Sequence, residues 1–392
     1  MTHFIPRFIP YGHHRLNEED KKKVLDVLES DYLTQGTVVS AFEKRVANYC
    51  HAKYACAVNS GTSALHVACL ALGLKKGDIL WTSAITFVAS ANCGLYCQAE
   101  VDFVDINPDS GNIAVDDLEQ KLILAEITGK LPKIVVAVHF AGQPCDIKRI
   151  YKLSLQYGFH IIEDACHALG ARIDNKPVGD CRYSDITVFS FHPVKMITTA
   201  EGGMALTNHA VLASKLKQLS SHGIIKSSDQ FINKDAAPWE YEQQLLGFNY
   251  RLSEIHAALG LSQMDCLEFF VEQRGLKAKK YTKCLLNLPL LPLTQSAISR
   301  SSWHLYVVRL DDSVTDLRRE LFNFLRAKNI GVQVHYQPVY QQPYFLQSGV
   351  SQLHCPNAEI YYKSCLTLPL YVDLSDEDQD KVIGVLAEGL SR

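Results

Sequence analysis

At 392 residues and 47% hydrophobic content the chain is too long for one typical domain and has ample apolar material for about two. Its net charge of −3 supplies no broad cationic field, which excludes recognition of nucleic acid or of an anionic membrane by bulk charge. The 12 cysteines are scattered through apolar runs without a Cys-x-x-Cys pair, so buried free thiols in a reducing compartment are expected and no metal site is. Cys93 and Cys97 are the closest pair, at helical spacing.

The opening segment Met1–Pro10 lacks a signal-peptide core, and no apolar stretch is long enough to span a bilayer, so a soluble, cytoplasmic protein is expected. Asn17 followed by Glu18, Glu19 and Asp20 caps an amphipathic helix that ends near Asp31. A turn-rich segment, Tyr32–Gly36, precedes a second helix over Val38–Tyr49. Tyr54 to His66 reads as strand, tight turn and helix, with Gly61, Thr62 and Ser63 opening the helix. Free amides and the positive dipole end make such a turn an anion site, although Ser and Thr there are also common helix caps. It matches neither a Walker loop nor a Rossmann glycine fingerprint, so an NTPase or dehydrogenase lacks its essential motif. Strand Asp78–Thr82 runs toward a helix begun by Thr86–Asn92, with Phe87 at the junction as either a core aromatic or a ligand-facing one. Strand Glu100–Ile106, a helix near Val115–Leu122 and strand Lys133–Val138 follow, and His139–Asp146 leads to another helix. Strands alternating with helices predict a mostly parallel sheet covered on both faces.

The next strand, His160–Asp164, ends in acids at its carboxyl end, where open α/β sheets bind ligands. A carboxylate there could ligate a metal, accept from a sugar hydroxyl or pair with a protonated ring nitrogen. His167 lies three residues on, as a loop histidine or a ligand contact. Asp185–Ser190 delivers the chain to Lys195, which follows Pro193 where a strand ends. This is an ordinary loop lysine or one held against a ligand. Pyridoxal phosphate (PLP) requires a lysine for its Schiff base and an Asp at its pyridine nitrogen, and Lys195 and Asp164 fit those roles. Gly202–Asn208 gives a return strand, with Glu201-Gly-Gly203 supplying backbone flexibility. Ser220–Gln244 is polar and irregular, and Asn249 precedes a helix over Ser253–Phe270. The predicted division is 1–265 as N-terminal segment and large domain and 266–392 as a small domain, the latter with strand Trp303–Leu310, helix Val314–Lys328, strand Ile330–His335 and a closing helix Ser375–Leu390.

The runs Ile162–Gly170, Ser190–Lys195, Thr198–Gly203 and Gly247–Leu259 together resemble the sugar-nucleotide aminotransferases of the DegT/DnrJ/EryC1/StrS family. Within it the chain is most similar to enzymes of pseudaminic acid biosynthesis that aminate C4 of a UDP-linked 4-keto-6-deoxy-N-acetylhexosamine. The resemblance implies an α/β fold-type-I PLP-dependent transferase: a large domain with a mostly parallel central sheet, a smaller C-terminal α/β domain, and a homodimer with shared active sites. It assigns Gly61, Thr62, Ser63 and Ser190 to the cofactor phosphate, Phe87 to stacking on the ring and Asp164 to the pyridine nitrogen. His167 would pack over the ring or bind its hydroxyl, Lys195 would carry the catalysis, and Asn249 would reach the phosphate of the neighbouring site. Tyr32–Gly36, the 220–244 segment and the His335-Tyr336 turn would border the site and subunit contact. The implied reaction is ping-pong, with L-glutamate as amino donor and a nucleotide sugar as acceptor. A branch that replaces the lysine with histidine dehydrates its sugar instead, and this chain keeps Lys195. Another nucleotide sugar, a dTDP-linked 4-keto or a 3-keto hexose, and a non-catalytic nucleotide-sugar binding protein remain the alternatives.

Overall fold

The computed structural model describes residues 7–347 and 354–391; residues 1–6, read above for a leader, lie outside the described residues. Seven five-residue strands form the central sheet: β1 Tyr54–Val58, β2 Ile79–Ser83, β3 Glu100–Val104, β4 Ile134–Val138, β5 His160–Asp164, β6 Ile186–Ser190 and β7 Gly203–Thr207. Their order is β1-β7-β6-β5-β4-β2-β3. β7 pairs antiparallel with both β1 and β6, and every other pairing in the sheet is parallel. Helical crossovers cover both faces, so alternate residues of one strand enter different cores. Ile161, Val135 and Phe189 join one apolar cluster, whereas Ile162, Val136 and Val188 join the other.

A third cluster gathers around a separate antiparallel sheet of Leu290–Pro292, Tyr306–Leu310 and Cys365–Leu368, packed by the helices Leu267–Cys284, Arg318–Ala327 and Asp376–Leu390. Among the described residues no helix is long and apolar enough to cross a membrane.

Several element bounds differ from the sequence reading for local reasons. The helix expected over Ser253–Phe270 is two, Glu254–Gln263 and Leu267–Cys284, joined by a 3-10 turn at Met264–Cys266. The helix from Val115 runs to Thr128 and stops where Gly129 adopts a left-handed conformation, φ 68°. The expected strand Ile330–His335 makes only isolated bridges, Ile330 with Ile9 and Gln333 with Thr367. Each bridge has a different partner, so no ladder forms. The strand expected from Trp303 begins at Tyr306 because Trp303 itself sits at φ 57°.

One buried acid fixes the first helical layer. Glu254, 1% exposed, accepts from the amides of Gly36, Val38 and Val39 at 3.0, 2.6 and 3.4 Å. These amides surround the N-terminus of the helix Val38–Cys50, which has no side-chain cap of its own, so the carboxylate meets both unpaired donors and the positive dipole end. Removing it leaves three amides facing an emptied site. Glu254→Ala is expected to cost about 3 kcal/mol of stability, read as a lowered urea midpoint; an unchanged midpoint would show that the carboxylate does not hold this junction.

Candidate active site

The site grows from the carboxyl end of β5. Glu163 and Asp164 are consecutive, so strand geometry sends their side chains to opposite faces. Asp164 faces the helices Gly61–Ala71 and Ala89–Tyr96: its Oδ2 accepts from Ser90 Oγ at 2.6 Å and its Oδ1 from the Cys166 amide at 3.1 Å. Ser90 is itself held by Thr86 Oγ1 at 2.8 Å. Glu163 faces the other way, accepting from His139 Nε2 at 2.8 Å, from Thr187 Oγ1 at 3.0 Å and from Ser184 Oγ. His139 Nδ1 accepts the Cys145 amide at 3.1 Å, which leaves the proton on Nε2. His139 therefore donates from Nε2 to the carboxylate, and the nearby Cys145 and Glu163 outweigh burial and raise the imidazole pKa. Burial raises the Glu163 pKa, but the hydrogen bonds, His139's foremost, outweigh it and hold it below the ordinary carboxyl value.

β1 leads into the cup. Ser60 caps the helix Gly61–Ala71, its Oγ taking the Ser63 amide at 3.0 Å, while Ser63 Oγ donates to Asn59 at 2.7 Å. Ser63 is thus committed to the cap and does not line the cavity; Ser60, Gly61 and Thr62 do. The Gly61 and Thr62 amides have no intrahelical acceptor and are left for an anion. A Cβ on Gly61 would lie 2.9 Å from Ser190 Cβ, filling the gap between cup and β6. Gly203 has a similar steric duty: a Cβ there would lie 2.3 Å from Ser60 O and 2.6 Å from Gly61 N. The Gly202-Gly203 pair, read from sequence as flexible, is required for close approach instead.

A cavity of about 340 Å³ lies between these parts. Lys195 is half-buried in its wall, and Nζ makes no hydrogen bond or ion pair with the described residues. Desolvation lowers its ammonium pKa, partly offset by Cys166 and Asp164, so the nucleophilic amine is made more accessible. Phe87 is 56% exposed at the cavity, its ring 6.3 Å from that of Tyr336, which excludes the core-aromatic reading. His167 is buried in the lining with Nδ1 unpartnered, and its ring lies 4.3 Å from that of His304, whose Nδ1 is also unpartnered. Burial pushes both imidazoles well below the usual histidine pKa, and burial with the Lys195 charge takes His335 down to about 4. All three are neutral at pH 7 and add no charge opposite Lys195.

Asn249 is exposed, bridged to Ser221, and not part of the lining. The structure therefore brings Gly61, Thr62, Phe87, Asp164, His167, Ser190 and Lys195 to one cavity, and leaves Ser63 and Asn249 outside it. Sequence reasoning missed Ser60, Ser90, Tyr11 and His304. Ser60 carried a signal as the residue before the helix; His304 carried none, lying in what reads as an ordinary strand. A larger cleft, about 540 Å³, between Asn107–Asp117 and Thr294–Ser299 contains none of the predicted residues.

The arrangement fits PLP on its own geometry. The cup would take the phosphate, Asp164 the ring nitrogen and Lys195 the carbonyl carbon, and the unpartnered Nδ1 of His167 offers a polar contact in the same cavity.

The Glu163 knot gives a pH test. Its folded pKa lies below the unfolded one, so its contribution is present above the unfolded value, about 4.3, and is lost as pH falls through the folded value. Glu163→Gln is expected to lower the urea midpoint at pH 7, with the gap to the parent closing below about pH 4. A gap independent of pH would contradict an ionised Glu163.

Comparison with known proteins agrees with this geometry. The profile of the DegT/DnrJ/EryC1/StrS aminotransferase family matches residues 14–387. The chain is 36% identical over 371 residues to the UDP-4-amino-4,6-dideoxy-N-acetyl-beta-L-altrosamine transaminase of Campylobacter jejuni, covering 94% of each chain. It is also 36% identical over 381 residues to the spore coat polysaccharide biosynthesis protein SpsC of Bacillus subtilis, covering 96% of this chain and 95% of that one. Among solved structures, Helicobacter pylori PseC, described as an aminotransferase involved in the biosynthesis of pseudoaminic acid, superposes with a TM-score of 0.90 at 32% identity, over 98% of this chain and 100% of that one. With the fold-type-I architecture and this site, the chain belongs to the DegT/DnrJ/EryC1/StrS family and is a PLP-dependent sugar aminotransferase.

Proposed function

We propose that the chain transfers an amino group from L-glutamate to C4 of a UDP-linked 4-keto-6-deoxy-N-acetylhexosamine in pseudaminic acid biosynthesis. The observation that carries the chemistry is one cavity holding an unpaired Lys195 amine, the fixed Asp164 carboxylate and the open amides of Gly61 and Thr62. The sugar is supported by the activity named for the Campylobacter relative and the pathway named for PseC. The equally similar SpsC supports a second reading, the same reaction on another nucleotide sugar.

PLP supplies a carbonyl that links to amines and a protonated ring that withdraws electrons from the carbon losing its proton. The chain's residues supply the rest. Gly61, Thr62 and Ser190 hold the phosphate; Asp164, fixed by Ser90 and the Cys166 amide, keeps the ring nitrogen protonated; Phe87 and His167 set the ring plane. Lys195 Nζ takes the proton from the α-carbon of the donor in the first half-reaction and returns one to C4 of the sugar in the second.

Lys195 is the only Lys or Arg in the lining among the described residues, yet both substrates are anionic. Ile232, Trp239 and Leu246, each over 80% exposed, lie in the segment that leads along the chain to Asn249. Both facts support a homodimer in which Asn249 of one protomer and nearby cations complete the site of the other. We place the boundary between the two domains at Cys266, in the 3-10 turn.

Loading the protein with amine from L-glutamate and then adding UDP- or dTDP-linked 4-keto sugars, while following cofactor absorbance, tests the substrate. Return of the starting spectrum with the UDP-4-keto-6-deoxy-N-acetylhexosamine alone is expected; return with a dTDP sugar alone would overturn the assignment. Lys195→Ala should fold normally and lose activity by roughly a thousandfold or more. Gly61→Ala, which fills the cup, should weaken cofactor affinity by about tenfold or more, equivalent to about 1.4 kcal/mol, in equilibrium titration.

A further inference from the structure

The cleft of about 540 Å³ between Asn107–Asp117 and Thr294–Ser299 is larger than the cofactor cavity, shares no lining residue with it, and falls within the roughly 300–1,000 Å³ usual for small-molecule sites. Its floor is built from fixed amides. Asn112, 5% exposed, donates from Nδ2 to Gln143 O at 3.1 Å and accepts the Phe140 amide at 2.8 Å. Gln143, 3% exposed, donates from Nε2 to Ser299 Oγ at 2.8 Å, and its Oε1 has no hydrogen-bond partner among the described residues. Leaving a buried acceptor bare costs about 1–3 kcal/mol, so this oxygen calls for a donor. A second cavity touching Gln143 is only about 10 Å³, too small for anything larger than water, and a ligand reaches this side chain from the cleft.

The opposite wall offers donors. The helix Val115–Thr128 opens on the cleft without a side-chain cap, and its first amides have no intrahelical acceptor. Charge around the cleft is already matched within the protein: Arg149 pairs with Asp116 at 2.7 Å, Lys148 pairs with Asp174, and Asp146 accepts the Arg149 amide at 3.3 Å. Burial and the charges of Asp105 and Asp116 raise the Asp117 pKa, so this wall resists an added anion. Among the described residues no group of three or more His, Cys, Asp or Glu is placed to hold a metal ion. A hydroxyl both donates and accepts, and so matches the Gln143 oxygen on one wall and the helix amides on the other. Ile113, Ile147 and Ile298 add apolar surface between them.

We propose that this cleft binds a neutral carbohydrate, whose hydroxyls donate to Gln143 Oε1 and accept from the first amides of the helix Val115–Thr128 while its apolar face lies on the isoleucines. The cleft and the cofactor cavity are joined by one segment. Ser302 N donates to Gly142 O at 3.1 Å, Ser302 Oγ donates to His167 O at 2.7 Å, and Leu305 N donates to Ala141 O at 3.2 Å. A sugar held against Gln143 and Ser299 therefore steadies the segment that carries His304 into the active site.

The PLP-loaded protein is titrated calorimetrically with N-acetyl-D-glucosamine in mildly acidic buffer, with D-glucuronate and D-glucosamine as anionic and cationic counterparts, and hydrogen exchange locates the bound sugar. Saturable binding of the neutral sugar is expected, at least about tenfold tighter than either charged one. Exchange should slow across residues 299–305 and stay unchanged across the cup. Gln143→Leu should weaken binding about fivefold or more, and Ser296→Trp, which crowds the exposed rim and spares the buried floor, should weaken it as well. No binding, preference for a charged sugar, slowed exchange at the cup alone, or unchanged affinity in Ser296→Trp and in a folded Gln143→Leu would each overturn the proposal. None of these readouts requires turnover, so their failure leaves the assignment of Lys195 standing.

Discussion

The site depends on two adjacent carboxylates facing opposite ways from one buried strand. Because β5 is parallel to both neighbours and covered on both faces, Glu163 and Asp164 are nearly buried, and each finds donors in the protein. Glu163 finds them in His139, Ser184 and Thr187, which come from the ends of β4, the loop before β6 and β6 itself. Those bonds tie together the strands that bear on the cavity. Asp164, on the opposite face, is then presented with two partners and one direction still open. A carboxylate fixed in this way meets a ring nitrogen without rearranging.

Around that strand the same economy recurs. The cup works because Ser60 caps the Ser63 amide and leaves those of Gly61 and Thr62 unpaired, and because glycines at 61 and 203 let β1, β6 and β7 converge without side chains between them. Lys195 faces Asp164 across a cavity in which His167, His304 and His335 are kept neutral by burial, and the amine's depressed pKa comes from desolvation. Gly61 and Asp164 are placed by strand and helix packing, and the cavity proposed for the cofactor is what that packing leaves open.

Much of this could be read in the residues. The alternation of apolar strands and helices fixed a parallel α/β layer, and the acid at the end of β5 and the lysine past β6 stood at the ligand-binding edge of such a sheet. The cofactor roles came from resemblance, since an Asp, a Lys and a Ser/Thr-rich turn each have ordinary explanations alone. What could not be read depended on tertiary approach. Ser63 has the residue type of a phosphate ligand but turns to Asn59, His304 enters the site only because the irregular segment before Tyr306 packs on His167, and Ile330–His335 has strand composition without a continuous partner. Gly202-Gly203 showed glycine's freedom in the sequence and its small size in the fold.

The most direct test of the account is where the cofactor is attached. Borohydride reduction of the PLP-loaded protein makes a lysine–cofactor bond permanent, and peptide mapping then locates it. A single adduct on Lys195 is the expected result; an adduct on another lysine, or none in a protein that retains PLP, would contradict the assignment of this cavity as the active site.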